Sequence, residues 1–268
     1  MHPIEHLRYV ARAHGADPVE VAMGAADALA GISRDPAAAL VAARRLVEHH
    51  PTNAPLWSVC AHAVTSMDPY RDVDDLARRI ANDATATNLV DALEGASTIC
   101  MIGWSGHLVD ALARRGDVHA LVVDSLGDGQ DALRYLSRRE VSCELVAPEG
   151  LASAAECADA TILSALAVGN DSVLCAGGSL ALAAVAYCVE QPVWMVASEG
   201  TRLPDGLFTA MVAGVRDRPD PWASGFDVVP HALITSVFGP TITSGTADTL
   251  ASMKACPSAD ELLRRSVV

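Results

Sequence analysis

Residues 169–202 constrain this chain more than any other stretch. They run from a polar loop through Gly177-Gly178-Ser179 into an Ala/Leu-rich segment, then Glu190-Gln191-Pro192 and the apolar run Val193-Trp194-Met195-Val196-Ala197. The two glycines permit close backbone approach and dihedrals closed to other residues. Ser179 is placed to cap a helix over 180–189. Pro192 disfavours helix at the residue before it and ends that helix. Residues 193–197 then suit a short strand buried on both faces. A helix start behind glycines offers free N–H groups and a positive dipole end to an anion; the same geometry also serves a helix that merely packs on a sheet. Residues 173–189 are apolar enough to suggest a membrane span. The glycine turn within them and the strand after Pro192 point to a buried α/β core instead.

The rest of the chain fits around that unit. Residues 1–95 carry apolar residues at helical spacing, predicting helices over 4–14, 18–32, 36–49 and 56–67, with a long one from about 70 to 94. Asp35-Pro36 is a start signal, a cap followed by proline in the first turn, and Asp68-Pro69 breaks the chain before the last helix. From residue 97 the pattern changes to strands over 98–102, 119–123, 141–146, 161–163 and 193–197, alternating with helices that include one to Arg115 and one over 128–139. That alternation predicts a parallel sheet covered on both faces. The fold class expected is α/β: an N-terminal helical domain, 1–95, followed by a Rossmann-like parallel-sheet domain, 96–268. Ligands of such sheets bind beyond the carboxyl ends of the strands. Segments 103–107, 124–130, 177–179 and 198–202 are therefore expected to converge on one cleft. Beyond Arg202 the pattern is less regular: a polar loop at 216–221, apolar stretches at 226–230 and 233–237, and a short helix over 258–265.

Composition narrows the partners. The formal net charge is −14, so the chain is a poor ligand for a nucleic-acid backbone. Its arginine pairs are scattered over predicted helices, and Lys254 is the only lysine, so phosphate chemistry here rests on arginine, histidine or backbone amides. Seven cysteines at irregular spacing, without a Cys-x-x-Cys pair, suggest reduced, buried thiols and a cytoplasmic protein. No metal-ligand spacing appears, His49-His50 reads as a helix end, and Met1–Glu5 lacks the features of a secretory leader. No cofactor, nucleic-acid partner or membrane partner is expected.

Several segments resemble one family. His50-Pro51-Thr52 to Trp57 resembles its "RPT" helix start, and 98–105 its "TILTHxYS" strand and loop. Gly177-Gly178-Ser179 falls at its "NKIGT" helix start, 191–198 resembles "KPFYVVAES", and 226–235 resembles "FDVTPPELIT". The chain is thereby similar to the family of the initiation factor 2B alpha, beta and delta subunits, which also holds methylthioribose-1-phosphate and ribose-1,5-bisphosphate isomerases. The resemblance implies a helical domain on a Rossmann-like domain, dimerisation through the latter, and a cleft for a phosphorylated small molecule. The isomerases use a cysteine and an aspartate. Their cysteine position falls on Gly103, and their aspartate position falls on Ser172, with Asp171 next door. Their lysine falls on Ala176, the arginine of an "ESRP" loop falls near Leu126, and their "RGAP" phosphate segment has no counterpart. A proton-transfer isomerisation needs an acid and a base at the same carbons, and a phosphosugar site usually adds fixed positive charge.

These departures predict a non-catalytic or divergent regulatory protein that binds a sugar phosphate or nucleotide, with a pentose-phosphate isomerase and a structural subunit of an assembly as the alternatives. The candidate ligand-binding residues are Gly103, Trp104, Ser105, His107, Asp124, Ser125, Gly177, Gly178, Ser179 and Arg202, and Asp171 is the candidate catalytic carboxylate. Gly103-Trp104-Ser105-Gly106-His107 is not the Gly-x-Ser-x-Gly of a nucleophile elbow. Trp104 is read as a wall of the cleft, His107 as a ligand contact or a surface residue, and Asp124 as a hydroxyl ligand or a cap of the next loop. Arg202 is read as the phosphate partner. Cys100 is read as a core cysteine.

Overall fold

The computed structural model describes residues 17–217, 219–242 and 245–264. The helix expected over 4–14 and the last residues of the one over 258–265 lie outside these. Among the described residues the chain forms two compact units, and neither is a single run of sequence. The first comprises the described parts of 1–83, 199–214 and 254–268; the second comprises 84–198 and the described parts of 215–253.

Four helices open the first unit: α1 (Pro18–Ala30), α2 (Pro36–His49), α3 (Ala54–Thr65) and α4 (Pro69–Ala81). All four begin the same way, with an Asx side chain outside the helix and a proline in the first turn. Asp17 accepts from the Val19 N–H at 2.8 Å, Asp35 from Ala38 at 3.0 Å, Asn53 from Leu56 at 3.0 Å and Asp68 from Arg71 at 3.3 Å. Proline costs nothing there because its missing N–H has no partner in the first turn. The long helix expected from 70 to 94 is instead two, α4 and α5 (Thr85–Ala92), separated at 82–84. Short polar side chains compete with the helix for backbone groups, and here they do so twice. The Asn82 amide donates to the Arg78 carbonyl at 2.7 Å, and the Asp83 carboxylate accepts from the Glu199 N–H at 2.7 Å. Arg79 pairs with Glu199 at 2.9 Å beside it. Helix α10 (Asp205–Arg216) lies largely in the first unit. The C-terminal helix expected over 258–265 is a short 3-10 turn, Asp260–Leu263.

The second unit is a six-stranded parallel sheet in the order β3-β2-β1-β4-β7-β9. Its strands are β1 (Thr98–Ile102), β2 (His119–Val123), β3 (Cys143–Val146), β4 (Ala160–Ser164), β7 (Val193–Val196) and β9 (Ser236–Phe238). Helices α5, α6 (Gly106–Arg115) and α7 (Asp128–Ser137) bury one face around Ile99, Met101, Leu112 and Leu136. Helices α8 (Leu151–Cys157) and α9 (Ser179–Cys188) bury the other around Cys100, Leu163, Leu182 and Met195. The α/β class and the Rossmann-like sheet expected from the sequence are what is found. A second, antiparallel sheet was not foreseen: β5 (Ala167–Val168), β6 (Ser172–Ala176) and β8 (Phe226–Pro230), in the order β5-β6-β8. Residues 169–176, read above as loop, are thus a hairpin turn and a strand. No described helix is long and apolar enough to cross a membrane.

Candidate functional site

The strand order runs outward from β1 in both directions, to β2 and β3 on one side and to β4, β7 and β9 on the other. The connections after β1 and β4 therefore part company, which makes their carboxyl ends the switch point at which ligands of this architecture bind, the crevice expected from the sequence. The residues at those ends meet there. Ser105, the N-cap of α6, accepts a hydrogen bond from the hydroxyl of Ser164 at the end of β4. Gly103 turns the chain out of β1 with φ +64°; a Cβ there would lie 3.4 Å from that of Ser125, 3.5 Å from that of Ala176 and 3.8 Å from that of Asp128. Ser125 in turn donates to the Gly177 carbonyl at 2.8 Å. Gly103, Ser105, Asp124, Ser125, Gly177 and Gly178 are thus brought together, as the sequence suggested.

Three helix N-termini border this crevice; that of α6 has no side-chain cap, and the chain fills the other two with its own carboxylates. At α7, Asp124 accepts from the N–H groups of Gly127 at 3.1 Å and Gly129 at 3.0 Å. At α9, Asp227 reaches across from β8 and accepts from Gly178 at 2.8 Å and Leu180 at 3.0 Å. A carboxylate satisfies the free donors and the dipole of a helix start as an external anion would. The anion-binding reading of the Gly-Gly-Ser turn is therefore taken up within the molecule, and Asp124 proves to be the cap of its following loop. Ser179 is not the cap of α9. Gly178 holds that position at φ +93°, where a Cβ would sit 2.7 Å from Ile102 Cδ1. Ser179 follows inside the helix on the buried face with Leu182, Ala183 and Ala186, its hydroxyl buried without a hydrogen-bond partner.

The remaining expected site residues lie apart or are otherwise engaged. Trp104 is half-buried and packs edge-on against Tyr135 at 5.5 Å between ring centroids, as part of the α6–α7 core. Tyr135 donates to Asp110 and lies under Arg139, 3.6 Å from its ring centroid. His107 sits half-buried in the first turn of α6. Asp171 is exposed in the turn between β5 and β6, and its carbonyl accepts from the His231 N–H at 2.9 Å. Six residues of extended chain separate it from Gly177, about 20 Å. It therefore stands at the wrong end of β6 to act beside Gly103. Arg202 lies in the first unit at 6% exposure, with its guanidinium donating to the Leu203 carbonyl. Burial pushes its pKa down, against the opposing effects of Asp205 and Cys256.

Three residues at these strand ends were not among the candidate site residues. Ser164 carried no signal beyond its place at a strand end. Asp227 stood inside the "FDVVP" segment, but its partner is 49 positions away. Asp128 lay in the 124–130 segment expected at the cleft but was singled out only as a helix start; its Cβ lies 3.8 Å from a Cβ placed on Gly103, and partial desolvation, then Asp131 and Asp124, push its pKa up. Asp124, Asp128 and Asp227 thus bring three acidic groups to these strand ends. The thiol chemistry is equally muted. Cys100 is fully buried, and burial pushes its pKa up to about 12. Cys60, Cys175 and Cys256 are buried too, whereas Cys157 and Cys188 are exposed, which corrects the expectation that the thiols lie inside. Among the described residues no cluster of three His, Cys, Asp or Glu side chains could hold a metal. The first unit has a separate open groove of about 590 Å³ lined by Arg34, Met67, Asp68 and Tyr70, all exposed.

No protein-family model and no curated protein sequence matches the chain. Its fold does have solved counterparts. The translation initiation factor eIF-2B of Pyrococcus horikoshii OT3 matches with a TM-score of 0.69 at 14% identity, over 89% of this chain and 97% of that one. A chain of the tetrameric eIF2B-beta2-delta2 complex of C. thermophilum matches with a TM-score of 0.69 at 14% identity, over 93% and 92%. The eIF2B delta subunit of Chaetomium thermophilum matches with a TM-score of 0.67 at 15% identity, over 88% and 96%. The chain carries the fold of the initiation factor 2B subunits, the family its motifs resemble.

Proposed function

We propose that this is a non-catalytic protein of the initiation-factor-2B type that works as a subunit of a protein assembly, with its crevice serving structure rather than chemistry. One observation carries the reading: two of the three helix N-termini at these strand ends, those of α7 and α9, are occupied by Asp124 and Asp227. A phosphate arriving there would have to displace a bound carboxylate and would meet further negative charge from Asp128 instead of a cation. An isomerase would also need a thiol or an equivalent acid–base pair at the reacting carbons; Gly103 provides none, and Cys100 behind it is buried and protonated. This moves the weight from the sugar-phosphate-binding regulator, the first expectation from the sequence, to the assembly subunit. One fold neighbour is itself a chain of a tetrameric complex, beta2-delta2, which accords with a subunit role. Seven free cysteines accord with a reducing, cytoplasmic setting.

A thermal-shift screen against pentose phosphates, pentose bisphosphates and nucleoside monophosphates tests the proposal. A ligand at a hundred times its dissociation constant adds about 2.7 kcal/mol of stability, a shift of several degrees. The expected result is no shift with any of them. A clear shift with one compound overturns the structural reading and restores the phosphate-binding regulator, and turnover of the same compound establishes the isomerase.

A further inference from the structure

The open groove of the first unit lies between two connections, α1 to α2 and α3 to α4. Its backbone is pinned on both sides. In the first connection the N–H groups of Ile32, Ser33 and Asp35 donate to the carbonyls of Leu29, Ala30 and Ile32 at 3.1, 3.3 and 3.0 Å, and the Ser33 hydroxyl donates to the Ala30 carbonyl at 2.9 Å. In the second, the Ser66 hydroxyl donates to Asp72 and accepts from the Asp68 N–H at 2.9 Å. Met67, between these two held residues, is fully exposed, and Tyr70 follows at 62% exposure. Side chains presented on a pinned backbone lose little freedom when a partner seats on them. Met, Tyr and Arg are also the residue types enriched where proteins meet, and Met67, Tyr70 and Arg34 line this one groove.

We propose that the groove docks a short segment of another protein that carries a large apolar side chain, seated between Met67 and Tyr70, and a carboxylate, paired with Arg34. Charge selects the carboxylate. The Asp35 and Asp68 side chains are spent on helix starts, accepting from Ala38 and Arg71, where the dipole offsets their charge. Among the described residues Arg34 makes no hydrogen bond or ion pair, so the groove's cation is the charge left to be matched. Shape selects a chain segment. A small molecule buries roughly 70–90% of its surface in its pocket, which walls as exposed as Arg34, Met67 and Tyr70 do not provide; a peptide adds contacts beyond the ends of the groove. A second copy would bring a formal charge of −14 with it, whereas a short segment brings one or two carboxylates. The groove lies outside the crevice, so the docking holds or fails whatever the crevice binds.

Fluorescence polarisation of the full chain with a panel of labelled peptides tests the proposal. Each peptide joins one Leu, Phe or Trp to one Glu at varied spacing, and each has a twin with Lys in place of Glu. At least one Glu peptide is expected to bind more tightly than its Lys twin. Tyr70→Ala is expected to weaken it about tenfold or more, as for an aromatic hot spot, and Arg34→Gln about threefold, the worth of an exposed ion pair. Both side chains are exposed, so circular dichroism should be unchanged. Binding that neither variant weakens places the peptide elsewhere and overturns the proposal, as does equal binding of the Lys twins or no binding by any member. Self-association that Tyr70→Ala abolishes would give the groove to a second copy and overturn it too. The phosphate screen decides the crevice separately.

Discussion

Helices α3 and α9 have nearly the same composition and opposite fates. Both lack charged residues, both follow a break in the chain, and both have their first N–H groups held by a side-chain oxygen. Helix α3 disappears into the first unit: Leu56, Val59, Cys60 and Ala61 have no exposure at all, and its Ser58 hydroxyl donates to the Gly200 carbonyl at 2.6 Å. Helix α9 is half-covered: Leu182, Ala183 and Ala186 are buried, whereas Leu180 and Tyr187 are exposed. Sequence patterning records that a helix is apolar on every side, but not how much of it the rest of the chain covers.

The largest effects expected distinguish those two kinds of burial. Leu56→Ala removes a fully buried side chain from α3 and is expected to cost roughly 2–5 kcal/mol of unfolding free energy, the range for such truncations, read from the midpoint of a urea titration. Leu182→Ala on the inner face of α9 belongs to the same range. Tyr187→Ser on the outer face is expected to change the stability of the chain by less than ~0.5 kcal/mol. A loss as large as that of Leu56→Ala would mean that Tyr187 is packed within its own chain, and the comparison would fail.

The caps differ in reach. Helix α3 is capped by Asn53, the residue beside it, and α9 by Asp227, brought in from β8. Cap truncations cost about 0.5–2 kcal/mol. Asp227→Ala is expected at the upper end, because it frees two N–H groups and an anion on a helix dipole, and Asn53→Ala near the middle. Should Asp227→Ala prove neutral while opening the crevice to phosphate in the ligand screen, the carboxylate would be a placeholder for an anion and not a structural cap.

That contrast also marks how far the sequence could be read. The parallel sheet, its flanking helices and the helix starts at Asp35 and Asp68 were legible, because they rest on local spacing and on cap-and-proline signals within four residues. The glycine turn at 177–178 and the convergence of Gly103 with Ser125 were legible too, as consequences of where parallel strands end. What escaped was settled by distant partners. Asp83 ends α4 by holding Glu199, and Asp227 takes the seat that Ser179 was expected to fill. Strand β6 exists because β8 pairs with it across a long gap in sequence. Asp171 was assigned to the site by counting along a motif, and the hairpin carries it to the opposite end of its strand.

Acid separates the two helices again. His62, half-buried on α3, is the only titratable side chain on either helix apart from the cysteines and Tyr187. Burial, then Arg79, lower its pKa; Asp72 and Glu199 oppose this and Lys254 adds to it. The unfolded chain therefore binds the proton more readily than the folded one. Stability should fall as pH drops from the ordinary histidine value of about 6.5 toward the lower folded value, and level off below it. His62→Gln is expected to flatten the dependence of melting temperature on pH across that window. An unchanged slope would assign the acid sensitivity to other groups.

The smallest effect is a rate, and it reads the exposed end of α9 directly. Cys157 at the end of α8 and Cys188 at the end of α9 are the two exposed thiols. Both should react with iodoacetamide at similar rates, well ahead of Cys60, Cys100 and Cys175, whose burial raises their pKa and blocks access. Mass spectrometry of the alkylated peptides reads both sites from the same sample, with Cys157 as the internal reference. A Cys188 as slow as Cys60 on α3 would mean that the chain already covers the end of α9, and the contrast between the two helices would fail there.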